Sequence, residues 1–348
     1  MDFAFSEEQE MLRAAAREWL GDRYPIDRVV ELADSDAGWD PGVWAELTEL
    51  GWLDPELELL EHAVLAEEAG RALLPAPWFS SVGLAGPALG GPPARPATLA
   101  WADDAASTLR DAAGSVACRA DDDVDGWRLS GVKRAVPDIG TAEQVVVVAR
   151  AADQVRLFRV DLTEHPEAVR PLPTVDRTRR IGELRLDGTP AEAVDGRTAD
   201  VLRAVRRRAL ALLACEAVGV TQRALDIAVE YARTRTQFER PIGSYQGVSH
   251  RLADVYAALA LGRSLAYRAA WCVAVDDPAA DEAVATAAVA AARAAVGGCE
   301  GAIQAMGGIG FTWDHPLHRF YKRAQWIAAF DGVPSAHRAE LAALLLTG

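Results

Sequence analysis

The first hundred residues place apolar side chains at helical spacing. Ser6 followed by Gln9 forms a capping-box pattern, and apolar residues then recur at Met11, Leu12, Ala15, Trp19 and Leu20. Further helices are predicted around 43–50 and 59–73, and the second of these ends near Pro75 because proline disfavours helix at the residue before it. This pattern predicts an N-terminal helical domain over residues 1–96.

Between residues 97 and 197 the pattern changes to short apolar runs separated by Asp, Gly and Pro. The runs 145–148 and 155–160 have the length and the β-branched content of strands. The segments 126–131 and 184–188 each lead into a glycine, which is typical of strands that end in tight turns. We therefore expect a middle β domain, built as a sandwich or a barrel.

From residue 198 to residue 348 the helical spacing returns. Its first apolar stripe consists of Leu202, Val205, Ala209, Leu212, Leu213 and Ala217. The Ala-rich segments 257–274 and 283–295 carry so few charges that they must be buried on several sides, by each other or by another subunit. The fold class is therefore predicted to be mainly α with a middle β domain and a C-terminal helical bundle.

The composition of the chain restricts where the protein is expected to be located and which ligands it is expected to bind. We identify no apolar run long and charge-free enough to span a bilayer, and the first eight residues lack the basic region of a signal peptide, so a cytoplasmic protein without a membrane partner is expected. The four cysteines are widely spaced, which indicates neither a disulfide framework nor a metal site. The net charge of −15 argues against nucleic-acid binding, and a phosphorylated small molecule would need a local basic pocket.

The segment 231–246 is the strongest candidate for chemistry. Three arginines, Arg233, Arg235 and Arg240, flank Gln237 and Phe238 at the end of a long predicted helix. A planar guanidinium there could clamp a diphosphate with two hydrogen bonds. The residues alone leave a second interpretation open, a solvated basic helix end that complements the helix dipole.

The complete string from Tyr231 to Gln246 resembles the signature of the acyl-CoA dehydrogenases, with Glu239 in place of the family's glycine. The next family stretch is matched by residues 250–254. This resemblance implies an N-terminal helical domain, a middle β barrel or sandwich and a C-terminal four-helix bundle, together with FAD as cofactor. It further implies that Arg235 and Gln237 reach the FAD of a neighbouring subunit, and that Phe238 and Gln246 shape the same cofactor site.

A glycine-rich segment, 302–311, resembles a second family string, Gln-x-x-Gly-Gly-x-Gly-Tyr/Phe. By resemblance, Gln304, Gly307 and Gly308 contact the adenosine and diphosphate side of FAD. Glycines that only terminate a helix are the alternative interpretation. A dinucleotide-binding Rossmann motif is not indicated, because no strand-turn-helix unit follows and Trp313 stands where the last glycine should be.

The segment 319–332 resembles the family string that ends in Tyr-Glu-Gly-Thr, whose glutamate removes the proton α to the thioester carbonyl. Asp331 occupies that position and is the predicted catalytic base. The alternative is an ordinary Asp-Gly turn. Some family members carry the base on the first long helix of the bundle, where this chain has Ala209, and Glu216 lies roughly two turns away on the same helix.

Other family strings are lost. Residues 99–104 stand where most members carry Thr-Glu-Pro-x-x-Gly-Ser-Asp, which touches flavin and substrate, and Lys322-Arg323 replaces an Arg-Asp pair. The segments 71–79, 136–138 and 176–179 instead resemble short actinobacterial chains, some of which act on CoA thioesters of steroid side chains. Several of those chains work as heterotetramers, in which one type of subunit completes the site of the other.

The sequence therefore predicts an FAD-dependent acyl-CoA dehydrogenase of fatty acid or steroid metabolism. Its partners would be an acyl-CoA substrate, an electron-transfer flavoprotein or similar acceptor, and related chains in a homotetramer or heterotetramer. A subunit with little activity of its own, which completes the FAD and substrate sites of a homologous chain, is the alternative. Flavin monooxygenase or other chemistry on the same fold is a third possibility.

Overall fold

The structure is a computed structural model that describes residues 5–104, 107–114, 116–124 and 126–347. Helices occupy the first ninety residues and the second half of the chain, and strands lie between them. The predicted mainly helical fold with a middle β domain is therefore confirmed.

The N-terminal helices begin and end at recognisable signals. They are α1 (Glu7–Arg23), α2 (Ile26–Asp34), α3 (Val43–Glu49), α4 (Leu59–Ala72) and α5 (Gly86–Leu89), with a π-helical turn at Ser80–Ala85. The capping box is present, because the Gln9 amide donates to Ser6 Oγ at 3.1 Å and the Ser6 amide donates to Gln9 Oε1 at 3.2 Å. Leu73, with φ of 53°, ends α4 two residues before Pro75.

Among the described residues the sheet consists of seven strands, β1 (Ala97–Ala100), β2 (Arg119–Asp123), β3 (Gly126–Pro137), β4 (Gln144–Ala151), β5 (Gln154–Asp161), β6 (Val169–Leu172) and β7 (Ile181–Val194). Their order is β1-β4-β2-β3-β7-β5, and β5 pairs again with β4. This second pairing closes five strands into a barrel, which removes their free edges. The residues 145–148 of β4 are buried on both faces, as their continuous apolar run predicts.

The second half contains α6 (Thr198–Thr234), the short strands β8 (Thr236–Gln237) and β9 (Arg240–Pro241), and then α7 (Gln246–Ala274), α8 (Ala280–Met306), α9 (Leu317–Ala329) and α10 (Pro334–Thr347). A 3₁₀ segment, Gly307–Phe311, links α8 to α9. All six residues of the predicted first stripe on α6 are buried.

Contacts divide the chain into two compact units. The first contains residues 1–31, 58–74 and 210–348, and the second contains residues 32–57 and 75–209. The first unit therefore combines N-terminal helices with the C-terminal bundle, and the second combines the barrel with α3 and α5. The division into domains at 1–96, 97–197 and 198–348 stays a prediction.

Buried carboxylates in ion pairs join three helices of the first unit. Two neighbouring carboxylates of α4, Glu67 and Glu68, are almost fully buried. Arg17 of α1 contacts Glu68 at 2.7 Å, and Arg263 of α7 contacts Glu67 at 2.8 Å. Tyr267 donates its hydroxyl proton to Glu67 at 2.7 Å, and burial, together with this carboxylate, raises the pKa of Tyr267 well above its usual value.

Two glycines let α4 and α6 approach closely at this point. A Cβ on Gly219 of α6 would lie 1.8 Å from the carbonyl oxygen of Glu67, and a Cβ on Gly70 of α4 would lie 2.2 Å from the carbonyl oxygen of Glu216. No side chain fits between backbones at these distances, so only glycine is compatible with either position.

The segment Ala280–Phe311, which contains α8, is long and apolar enough to count as a possible membrane span by length and composition. The expectation that no segment has the length and composition of a membrane span is therefore wrong for this segment, because an alanine-rich helix combines moderate hydropathy with few charges. Half of the most apolar window is buried within the first unit, as in the core helix of a globular bundle.

We predict that Gly219→Ala destabilises the protein by about 3 kcal/mol, because the added methyl group forces α4 and α6 apart. Gly297→Ala in α8 is the matched control, since no atom lies within 4 Å of its ideal Cβ position. That variant should gain up to about 1 kcal/mol from helix propensity. Denaturant unfolding of both variants measures the difference, and equal stabilities would contradict the close contact.

Candidate functional site

The arginine-rich segment forms a small hairpin between α6 and α7. Gln237 pairs with Arg240 across a two-residue turn, in which Phe238 and Glu239 have φ of 52° and 67°. Left-handed backbone at both turn positions is the type I′ geometry that follows the twist of two strands. Tyr245 supports the hairpin by donating its hydroxyl proton to the carbonyl oxygen of Gln237 at 3.1 Å.

The hairpin side chains are exposed on the first unit. Phe238 is 87% exposed, and Arg235, Gln237 and Glu239 are exposed beside it. The guanidinium of Arg240 lies 3.9 Å from the centre of the Tyr245 ring. Within the part of the chain that the structure describes, neither Arg235 nor Glu239 forms an ion pair. The Arg235 guanidinium is therefore available to an anion outside this unit.

The glycine-rich segment begins where α8 ends. Gly307, with φ of 64°, stands directly after Met306, the last helical residue, so this glycine does terminate the helix. Gly308 is exposed and has no atom within 4 Å of its ideal Cβ position, which leaves its backbone open to a ligand. Gln304, on the last turn of α8, is also exposed.

Antiparallel packing of α7 and α8 brings these two segments to one end of the unit. A Cβ on Gly301 would lie 2.7 Å from Val255, and at the opposite end Arg268 contacts Glu282 at 3.6 Å. The start of α7 therefore lies beside the end of α8. The predicted cofactor residues Arg235, Gln237, Phe238, Gln246, Gln304, Gly307 and Gly308 are consequently grouped at that end.

Asp331 lies farther along the bundle, in the connection between α9 and α10. It is only 8% exposed, and its φ of 56° together with the φ of 121° at Gly332 forms an Asp-Gly turn. The turn predicted as the alternative is therefore present. A buried carboxylate is compatible with it, so the base assignment of Asp331 stays a prediction.

A cavity of about 590 Å³ borders this turn inside the first unit. Phe330 and Pro334, on either side of Asp331 in sequence, line it together with apolar residues of α6 and α8 that include Leu213, Val289 and Val296. The α8 residues at its wall extend from Ala288 to Glu300, and Glu300 precedes Gln304 by one turn of helix, about 6 Å. The cavity therefore extends along α8 from the Asp331 turn toward the end of the bundle that carries Gln304.

Glu216 is held by a partner that the sequence did not reveal. Its carboxylate contacts the guanidinium of Arg323 at 2.5 Å, and both side chains are at most 3% exposed. Arg323 is one of the two residues that replace the family's Arg-Asp pair. The replacement and the extra glutamate on α6 are therefore two halves of one buried ion pair, which makes Glu216 a structural residue rather than a free carboxylate.

The remaining residues with possible chemistry are the cysteines and the potential metal ligands. All four cysteines are buried and free, as the sequence predicts, and burial raises the pKa of Cys118 to about 11. Among residues 5–104, 107–114, 116–124 and 126–347, no group of three His, Cys, Asp or Glu side chains has the arrangement of a metal site.

The chain is similar in sequence to known proteins. The family model "Acyl-CoA dehydrogenase, C-terminal domain" matches residues 207–346. The chain is 32% identical over 331 residues to acyl-CoA dehydrogenase IpdE2 of Mycobacterium tuberculosis, covering 91% of each chain.

Solved structures also resemble the whole chain. One is the Tcur3481-Tcur3483 steroid ACAD G363A variant, with 30% identity, a TM-score of 0.84 and coverage of 98% of each chain. Another is the ChsE4-ChsE5 complex of Mycobacterium tuberculosis, with 27% identity, a TM-score of 0.87 and coverage of 100% of each chain. Similarity therefore extends through both units and includes the barrel.

We predict that Arg323→Met destabilises the protein by about 3–5 kcal/mol, because it leaves the Glu216 carboxylate buried without its cation. The double variant Arg323→Met with Glu216→Leu should recover most of this loss, since both charges are then removed. Chemical denaturation of the single and double variants measures the recovery. A double variant that is as unstable as Arg323→Met would show that the pair is not the source of the loss.

Proposed function

Because this chain belongs to the acyl-CoA dehydrogenase family of oxidoreductases acting on acyl-CoA, we propose that it serves FAD-dependent α,β-dehydrogenation of an acyl-CoA thioester. The observation that supports this proposal is the grouping of the hairpin and the glycine-rich segment at one end of the bundle. A cytoplasmic location and transfer of electrons to an electron-transfer flavoprotein or a similar acceptor are parts of the proposal.

The residues at the hairpin end fit an FAD diphosphate. Arg235 offers an exposed guanidinium that can donate two hydrogen bonds to phosphate oxygens. Gln237 and Gln304 add exposed amides, and the open backbone at Gly307 and Gly308 permits close approach. Phe238 and Gln246 border the same region in our proposal. Bound there, FAD supplies the acceptor for the hydride that leaves the β carbon of the substrate.

The proposed cofactor residues face away from the core of their own unit. Phe238 is 87% exposed, a high value for a large apolar side chain on a rigid hairpin. An aromatic residue beside an unpaired guanidinium is typical of a subunit interface. We propose that the hairpin reaches a cofactor held mainly by a neighbouring subunit in a tetramer.

In the proposed reaction, Asp331 removes the proton α to the thioester carbonyl. Its carboxylate is buried in a turn whose neighbours Phe330 and Pro334 line a mainly apolar cavity, so its contact with water is limited. Aspartate is about one bond shorter than the glutamate usual at this position, so the substrate must lie closer to the backbone of the turn.

A partner subunit without its own working site is the second candidate. The segment that replaces the flavin-contacting string is tied to the barrel, because Lys133 donates to the Trp101 carbonyl oxygen at 3.1 Å and to Asp103 at 2.7 Å. Lys133 is fully buried, and burial lowers its pKa. These polar groups bind each other within the barrel unit. The similar ChsE4-ChsE5 structure is a complex of two named chains, which also favours a heteromer.

The ratio of FAD to protein in the purified assembly tests the proposal. The chain is expressed alone and together with any homologous dehydrogenase chain that is encoded beside it, and flavin absorbance is compared with protein mass. One FAD for each copy of this chain supports an autonomous enzyme, and one FAD for each pair of unlike chains supports the partner role. No flavin in either preparation would refute both forms of the proposal.

We predict that Arg235→Ala weakens FAD binding by about 10- to 100-fold, the effect of losing charge-assisted hydrogen bonds to phosphate. Arg233→Ala is the matched control, because Arg233 is also exposed but precedes the hairpin. Its affinity for FAD should stay unchanged. Fluorescence titration of FAD measures both variants, and equal affinities would remove Arg235 from the site.

We predict that Asp331→Asn reduces turnover by at least about 100-fold, because an amide cannot accept the α proton. Asp331→Glu should retain activity, since it restores the family's usual carboxylate. Turnover is measured with acyl-CoA substrates and an artificial electron acceptor, and FAD content is measured for each variant as the control. Undiminished turnover of Asp331→Asn would assign the base to another residue or to the partner chain.

A further inference from the structure

Glu239 stands at a backbone position that favours glycine. Its φ of 67° lies in the left-handed region, directly after Phe238 with φ of 52°. Residues with a Cβ are disfavoured in this conformation, whereas glycine adopts it readily. The position also carries glycine in the family signature. Glu239 is therefore held in a backbone conformation that disfavours it. Its side chain is the feature by which this hairpin differs from the family signature.

The Glu239 carboxylate has no cation within the described chain. It is exposed and forms no hydrogen bond or ion pair with any residue that the structure describes. Arg240, its neighbour in sequence, packs against the Tyr245 ring at 3.9 Å. The hairpin therefore presents two exposed guanidiniums, on Arg235 and Arg240, and the Glu239 carboxylate offsets one of their two positive charges.

We propose that Glu239 determines the flavin affinity of this hairpin by opposing the diphosphate that Arg235 attracts. This inference rests on the proposed function, in which the hairpin binds the FAD of a neighbouring subunit. Glu239 is two residues from Gln237, so their Cα atoms lie at most about 7.6 Å apart. A diphosphate bound beside Gln237, as proposed, would lie at a comparable distance from Glu239, which is about one Debye length at physiological salt, so the repulsion would be only partly screened.

The Glu239 charge should change the FAD affinity of the hairpin by an amount that an experiment can measure. At separations near 8 Å and an effective dielectric constant near 40, one unit charge changes the binding of another by about fivefold. Glu239 accordingly lowers the affinity of the hairpin for FAD by about 3- to 10-fold relative to an uncharged residue. The effect disappears as salt screens both the attraction by Arg235 and the repulsion by Glu239.

Three substitutions separate charge from backbone conformation. Glu239→Gln removes the charge and keeps a Cβ in the left-handed region, Glu239→Gly removes both, and Glu239→Asp keeps the charge. FAD dissociation constants are measured by flavin fluorescence at low and high ionic strength, on the wild-type assembly that holds flavin and on each variant. Thermal unfolding of each variant reports the backbone effect separately.

At low ionic strength Glu239→Gln and Glu239→Gly should bind FAD about 3- to 10-fold more tightly than the wild type. Glu239→Asp should bind like the wild type, and high salt should remove the differences. Only Glu239→Gly should also unfold at a higher temperature. Unchanged or weaker binding by Glu239→Gln would overturn the inference, and weaker binding would show that the carboxylate pairs with a cation of the neighbouring subunit.

The Arg235→Ala variant distinguishes failure of the Glu239 proposal from failure of the proposed function. If Arg235→Ala weakens FAD binding while Glu239→Gln leaves it unchanged, the proposed function stands and only the role of Glu239 is wrong. If neither substitution alters FAD binding, the hairpin does not contact the diphosphate and both proposals fail. If no wild-type assembly binds FAD, both proposals also fail.

Discussion

The close backbone contact between α4 and α6 is the constraint on which the rest of the first unit depends. Gly70 and Gly219 permit it, and the same contact buries Glu67 and Glu68 of α4. Buried carboxylates are costly without cations, so arginines of α1 and α7 must reach them. Close packing at two glycines therefore dictates the positions of four helices, including the two that flank the hairpin.

Correct placement of α6 and α7 has a direct functional consequence. The hairpin connects these helices, and the antiparallel partner of α7 ends beside it in the glycine-rich segment. A helical scaffold held by buried ion pairs thus presents an arginine, two amides and an open backbone at one end. Because these groups are exposed in the single chain, they are accessible to a neighbouring subunit, as the proposed shared site requires.

At two places where the chain departs from the family signature, other residues of the chain form polar contacts with the altered segment. Arg323 replaces an aspartate of the family string, and Glu216 on α6 provides the opposite charge. The lost flavin-contacting string is replaced by a segment that Lys133 binds through Trp101 and Asp103. Each substitution forms a buried polar contact, so the altered strings belong to a consistent, folded structure.

Periodicity and residue chemistry determined the element types, the order of helical and β regions, and the capping box at Ser6, because these depend on neighbours in sequence. The motifs identified the family and singled out the residues of the hairpin and the glycine-rich segment. Only the tertiary structure decided that these segments share one end of the bundle, that Glu216 pairs with Arg323, and that Glu239 has left-handed backbone. The physical reason is that burial, charge pairing and helix approach are set by residues distant in sequence, such as Gly70 and Glu216, and no local pattern records them.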